Sequence, residues 1–138
     1  MKPVAAAIHT KLGSVTTGGS FHQLLNGRYY HVEAPQNTGY PLAVWNLEGI
    51  DNEDQFDGSR IIRGSVSFDI YCEGRLGAAA AMDIEEALFT LLDQQTLAVS
   101  GSTYGAATLQ CLARGTPTAS DEFMIITTTY SIFTTRVA

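Results

Sequence analysis

Arg60-Ile-Ile-Arg-Gly-Ser-Val-Ser-Phe-Asp-Ile-Tyr-Cys-Glu73 alternates between two kinds of side chain. One set of positions carries apolar residues, and the other is mostly polar. The first set is Ile62, Val66, Phe68, Ile70 and Cys72, with Gly64 in register, and the second is Ile61, Arg63, Ser65, Ser67, Asp69, Tyr71 and Glu73. This period of two predicts a strand with one face in the core. A single buried face is typical of an antiparallel sheet.

The chain on both sides of this strand predicts the remaining elements. Residues 77–93 form the strongest helix pattern, with an alanine run and an apolar stripe. We expect a short helix over 3–12, strands near 28–33, 42–48, 104–114 and 122–135, and a long acidic connection over 49–59. The last strand is apolar or threonine-rich on both faces, which favours a central position. The order predicts an α+β fold: about five strands, mostly antiparallel or mixed, with two helices packed on one face.

Length and composition limit the classes of protein that fit. The chain has 138 residues, which suits a single domain spanning 1–138. Its 45% hydrophobic content argues against disorder, and its net charge of −6 argues against a free-standing nucleic-acid binder. No apolar run is long enough to span a membrane, and the first residues do not resemble a signal peptide.

No motif in the sequence predicts catalysis. The chain has neither the Gly-x-Ser-x-Gly of a nucleophile elbow nor a phosphate-binding loop. The histidines lack metal-ligand spacing, and two cysteines, Cys72 and Cys111, are too few for a four-thiolate zinc site. We therefore expect no enzymatic activity, no metal and no cofactor.

An acidic stretch holds five carboxylates within ten residues. They are Glu48, Asp51, Glu53, Asp54 and Asp57. A solvated loop is one interpretation, and a calcium loop is another, although the spacing differs from the EF-hand pattern. A third is a surface that repels a polyanion, such as the wall of a channel through which DNA slides. The composition leaves these three open.

A family resemblance is carried by the segment from Tyr29 to Trp45. The chain reads Tyr29-Tyr-His-Val-Glu-Ala-Pro-Gln-Asn-Thr-Gly-Tyr-Pro-Leu-Ala-Val-Trp45. Its Ala34-Pro35-Gln36 turn and its Tyr40-Pro41 before an apolar strand resemble the tail completion family of long-tailed bacteriophages and related gene-transfer particles. The long alternating strand, the helix over 77–92 and the final strand follow in the same order. The resemblance covers roughly residues 3–135, and the glycine- and threonine-rich stretch 13–20 departs from it.

The resemblance implies a structural protein of the virion, assembled in the bacterial host. Members of this family are tail terminators or head–tail joining proteins that form a ring, typically a hexamer. The ring ends the tail tube at its head-proximal end and docks to the connector or stopper protein at the neck. DNA passes through the ring without specific binding. The implied partners are other copies of the chain, the tail tube protein and the connector.

Two sets of residues are candidates for these contacts. The acidic residues Glu48, Asp51, Glu53, Asp54 and Asp57 suit either a lumen or a docking loop. The candidates for subunit or partner contacts are Pro35, Gln36, Tyr40, Trp45, Arg63 and Tyr71. Core packing is the favoured alternative for Trp45. Other functions stay open: another neck or tail-tube subunit, or a small ligand- or calcium-binding module.

Overall fold

The three longest strands lie side by side in one sheet. In the computed structural model, which describes residues 2–54, 58–74, 77–99, 103–120 and 122–136, β3 (Arg60–Glu73) pairs antiparallel with β2 (Leu42–Asp54) and β7 (Phe123–Arg136). The shorter strands are β1 (Tyr29–His31), β4 (Thr96–Leu97), β5 (Ala107–Ala113) and β6 (Thr118–Ser120). The order is β1-β2-β3-β7-β5-β4, with β6 also paired to β7. Only β1 and β2, among the described pairs, run parallel.

The alternation of β3 divides the sheet into two faces, as predicted. Its apolar set, from Ile62 to Cys72, is buried, whereas Arg63 is exposed and the other members of the second set are half-buried. The buried side chains of all three helices join the apolar set in one core. We call the opposite side the open face. Its described residues are Leu42, Val44, Asn46 and Glu48 of β2, the second set of β3, the odd-numbered residues of β7, and Thr108 and Gln110 of β5.

Three helices cover the other face of the sheet. They are α1 (Lys2–Leu12), α2 (Phe21–Leu25) and α3 (Gly77–Leu92). Helices α1 and α3 match the sequence prediction, and α3 buries Ile84, Leu88 and Leu92. Helix α2 begins where the Ser20 side chain accepts a hydrogen bond from the Gln23 N–H.

The predicted layout of five strands and two helices is only roughly matched. The α+β class and the central position of β7 are confirmed, but the sheet has seven strands and the described chain has three helices. The elements missed by the prediction are α2, β4 and β6, which are five, two and three residues long. Elements this short do not span enough residues to show a hydrophobic period. They form through tertiary contacts, which local sequence does not reveal.

The acidic connection is the largest correction. Strand β2 continues to Asp54, so residues 49–54 are strand, and only 55–59 lie between β2 and β3. The pairing shifts between Glu48 and Asp51, and beyond the shift Asp51 lies opposite Arg63 and Asp54 opposite Arg60. Asp57 lies outside the described residues.

Candidate functional site

An ordered loop stands at one end of the open face. It runs from Val32 to Pro41, and the Arg28 guanidinium ties down its far end. Arg28 Nε donates to the Pro41 carbonyl oxygen at 3.0 Å, and Nη2 donates to the Tyr40 carbonyl oxygen at 3.1 Å. Within the loop, the Thr38 hydroxyl donates to the Pro35 carbonyl oxygen. These bonds hold a segment that belongs to neither a helix nor a strand.

The loop begins at a strained and exposed residue. Val32 has φ of 76° and leaves 61% of its surface exposed. A β-branched side chain rarely adopts positive φ, and backbone strain of this kind costs about 1–3 kcal/mol and concentrates at functional sites. Asn37 also has positive φ, but asparagine tolerates this conformation. The conformation of this loop therefore lowers the stability of the fold.

A hollow lies between the loop and the open face, and three of the predicted contact residues line it. Its volume is about 470 Å³. The lining includes Pro35 and Tyr40 from the loop and Tyr71 from β3, and it is completed by Ala34, Asn37, Thr38, Leu42 and Val44. Gln36 is exposed on the same loop. The structure thus brings Pro35, Tyr40 and Tyr71 together, although 31 positions separate the last two in sequence.

Aromatic side chains dominate this end of the open face. The Tyr40 ring contacts the Phe123 ring, with centroids 4.8 Å apart. Tyr71 lies between Leu42 and Ile125 on the neighbouring strands. Partial burial raises the pKa of Tyr71, and the negative charge of Asp69 and the nearby Tyr40 raise it further. The Tyr71 hydroxyl therefore stays protonated further into the alkaline range than that of an ordinary tyrosine, and it is available to donate a hydrogen bond.

The centre and far end of the open face differ from the aromatic end. The centre carries small hydroxyl side chains, including Ser67 and Thr129, and the Thr127 hydroxyl donates to Asp69 Oδ1 at 2.7 Å. At the far end, the guanidinium of Arg63 lies over the Phe133 ring, 5.7 Å from its centroid. Arg63 is thus on the open face, as predicted, but at the opposite end from the hollow.

Trp45 lies in the core and not on a contact surface. Only 1% of its surface is exposed, and its indole stacks between His31, at 4.2 Å, and Phe68, at 6.2 Å. Residue 45 follows the buried parity of β2, which points towards the helices. The core-packing alternative therefore describes its position, and Trp45 offers no surface to a partner.

The predicted acidic residues do not form one loop. Glu48 is exposed on the open face, opposite Ser65. Asp51, Glu53 and Asp54 are residues of strand β2. Their role in a lumen or a docking surface stays a prediction.

A second depression lies on the helical layer, between the 13–20 segment and α3. We call it the helix-side groove. Its volume is about 720 Å³, and its lining combines apolar residues such as Phe21, Leu24 and Leu91 with exposed Thr90 and the charged residues Lys11, Asp83 and Glu86. Exposed Val15 also lines it, and exposed Met82 is on the same helix, α3. The groove and the open face are on opposite layers of the subunit.

One ion-pair cluster borders the helix-side groove, which Glu86 also lines. Arg114, directly after β5, forms two hydrogen bonds with the buried carboxylate of Glu85 of α3 at 2.6 and 2.7 Å, and it also bonds Glu86. Its guanidinium stacks 4.1 Å from the centroid of Phe89. The hydrogen bonds to the two carboxylates raise the pKa of Arg114, so it remains charged. This cluster ties β5 to α3, and the separation of 29 residues hid it from sequence analysis.

The cysteines and histidines have structural positions. Burial raises the pKa of both Cys72 and Cys111, which keeps their thiols protonated and poorly reactive. His22 Nδ1 lies 2.9 Å from the Tyr29 hydroxyl. Among the described residues, no three His, Cys, Asp or Glu side chains group as metal ligands would. Within the same residues, no helix is both long and apolar enough to cross a membrane.

Comparisons with known proteins give a fold and no family. No family model matches the sequence, and no curated protein matches it. A solved structure described as the virion of a native gene transfer agent particle contains a chain that is similar to this one, with a TM-score of 0.67 and 15% identity. The likeness covers 94% of this chain and 92% of that one. A second solved structure, whose name describes no function, has a TM-score of 0.67 and 14% identity over 96% and 94% of the two chains. At these identities, the likeness establishes that the chain shares its fold with a component of a phage-like particle.

Proposed function

We propose that this chain is a structural protein of a phage-like virion, and that it forms the ring which ends the tail tube. The observation that carries the proposal is the likeness to a chain of a gene transfer agent virion, which extends over nearly all of both chains. The likeness covers 94% of this chain and 92% of that one, so it extends over the fold as a whole and not over a single supersecondary unit.

The surface of the chain supports a role in assembly. The residues brought together at the open face are aromatic, arginine and small hydroxyl side chains, without a nucleophile–base pair in the hollow. Tyrosine, phenylalanine and arginine are enriched where proteins contact each other. In the proposed ring, these residues contact neighbours, and the chain carries out no chemical step.

The tail-tube end is the finer part of the proposal, and it rests on the resemblance carried by Ala34-Pro35-Gln36 and Tyr40-Pro41. A terminator stops tube growth and presents a docking surface to the neck. The acidic residues of β2 then face either the lumen or the connector.

The terminator role can be tested by deleting the gene from a particle-producing strain and imaging the particles by electron microscopy. A terminator role predicts overlong tails that are not joined to heads, with normal length restored by the wild-type gene. Tails of normal length that fail to join would contradict termination and favour another neck role. Particles that are unchanged would contradict any role in the virion.

A variant protein distinguishes the two proposed locations of the acidic residues, the lumen and the docking surface. Asp51, Glu53, Asp54 and Asp57 are all changed to Lys and supplied in place of the wild-type gene. If these residues line the lumen, joined particles form but release DNA slowly, because basic walls hold phosphates. If they form the docking surface, tails of normal length accumulate without heads.

A further inference from the structure

We propose that the open face of the sheet is covered by the helical layer of a second copy of this chain, in a head-to-tail contact. The inference rests on the proposed function and names the surface by which the ring is built. The two surfaces that would meet are the open face of one copy and the helix-side groove of the next.

The open face has the area that one subunit contact requires. It spans four strands, β2, β3, β7 and β5, and β3 is 14 residues long. The face consists of the 14 residues of β3 and of β7, the seven of β5 and residues 42–48 of β2. With strands about 4.8 Å apart and a rise of about 3.4 Å per residue, it measures about 700 Å². A stable protein interface buries about 800 Å² on each partner. One copy placed on this face therefore supplies a contact of ordinary size.

The chemistry of the open face fits a protein partner. Tyr40 and Tyr71 line the hollow at one end, where Phe123 contacts the Tyr40 ring, and Arg63 stacks on Phe133 at the other. Aromatic and arginine side chains account for most binding energy in interfaces. The hydroxyl side chains between these two ends are small, so a partner can approach closely and remain hydrogen-bonded. The strained loop at Val32 is already ordered, which lowers the entropy cost of contact.

The location of the two surfaces fits a ring better than a dimer. Pairing of two open faces would close a two-fold dimer and stop, since both copies would then use the same patch. A ring requires two different patches on each copy. The open face and the helix-side groove are such a pair, because they lie on opposite layers and the groove presents the exposed side chain of Val15.

Three matched threonine-to-lysine variants test the contact. Thr129→Lys changes the centre of the open face, Thr90→Lys changes the rim of the groove, and Thr10→Lys changes an exposed position of α1 outside both surfaces. Each adds one positive charge, and lysine is disfavoured inside interfaces. Gln110→Lys, at an exposed position of the open face, replaces Thr129→Lys if that variant loses its circular dichroism spectrum.

Light scattering then gives the mass of each variant and of mixtures. We expect the wild type and Thr10→Lys to form rings, and Thr129→Lys and Thr90→Lys to be monomers with a mass about six times lower. An equimolar mixture of the two monomeric variants should double in mass, because the intact groove of one can bind the intact open face of the other.

Three results would overturn the inference. Rings formed by the open-face variants would show that the open face is not a contact, and two monomeric variants that fail to associate would show that the contact is not head-to-tail. A wild-type chain that remains a monomer would mean that no second copy covers the face. In each case the tail-length experiment still decides the proposed function independently.

Discussion

Replacement of Arg114 by methionine should destabilise the fold more than replacement of its partner Glu85 by glutamine. Methionine keeps an apolar stem against Phe89 but removes the guanidinium. The Glu85 carboxylate is then left without its partner, in a residue that is only 4% exposed. The side chain of Arg114 is itself 38% exposed, so it can return to water if Glu85 is changed.

The magnitudes follow from this difference in burial. Breaking a fully buried ion pair costs about 3–5 kcal/mol, chiefly because the remaining charge is buried alone. Arg114 is partly hydrated, which lowers our expectation for Arg114→Met to about 2–3 kcal/mol. For Glu85→Gln we expect a loss of about 1 kcal/mol in the free energy of unfolding, because the Arg114 guanidinium keeps its hydrogen bond to Glu86 and its contact with solvent. The double variant should lose only about 1 kcal/mol, since neither charge remains unpaired.

Urea unfolding followed by tryptophan emission measures these differences. The chain has a single tryptophan, Trp45, and it is buried in the native state, so its emission reports the loss of the core. Arg114→Met and Glu85→Gln are compared with the wild type and with the double variant. A double variant less stable than Arg114→Met alone, or a cost under about 0.5 kcal/mol for Arg114→Met, would show that Glu85 does not depend on Arg114 for its charge to stay buried.

Other predictions concern the core and the close approach of the segment after β5 to β7. Leu88→Asp should prevent folding, because it buries an unpaired carboxylate at a cost of several kcal/mol, and a native circular dichroism spectrum would contradict the placement of α3. Gly115→Ala should lose about 2 kcal/mol or more in urea, since a Cβ there would clash with the Thr127 carbonyl oxygen, whereas the control Gly39→Ala, with nothing nearer than 4.0 Å, should change stability by under about 0.5 kcal/mol. Tyr130→Phe should be neutral or stabilising by up to about 1 kcal/mol, because the buried hydroxyl has no hydrogen-bond partner, and a loss above about 2 kcal/mol would show that it has one. Burial raises the pKa of Tyr130, so the unfolded chain loses this proton first and wild-type stability should fall as pH rises above about 10, by up to about 1.4 kcal/mol per pH unit; an equally steep fall in Tyr130→Phe would exclude this residue as a cause.

The parts of the fold that could be predicted are those with a long, regular pattern. Strand β3 alternates over 14 residues, and α3 repeats its apolar stripe over 16, so each determines its own structure. The later half of β2 has no such pattern, because residues 49–54 are mostly acidic or polar. These residues form a strand because β3 is long enough to pair with them. Pairing with a distant strand cannot be predicted from the local sequence of residues 49–54.

The candidate site shows the same division. Pro35, Tyr40 and Tyr71 could be named from residue type and from the outward parity of β3. The contact between Tyr40 and Phe123 depends on the register between β3 and β7, which cannot be predicted from local sequence. A signal for α2 was present, since Ser20 is a good N-cap and Asn26-Gly27 a good C-terminal stop, but a five-residue helix fell below the length at which a period can be seen.

If the chain ends a tail tube, it must assemble into a closed ring. Light scattering measures the mass of the purified wild-type protein, and negative-stain images of the same sample show its shape. We expect closed rings of about six copies of the 14.8 kDa chain, joined by heterologous contacts. Long tubes would contradict this expectation, because a subunit that stacks on itself cannot end a tube, and a monomer at every concentration would contradict the ring.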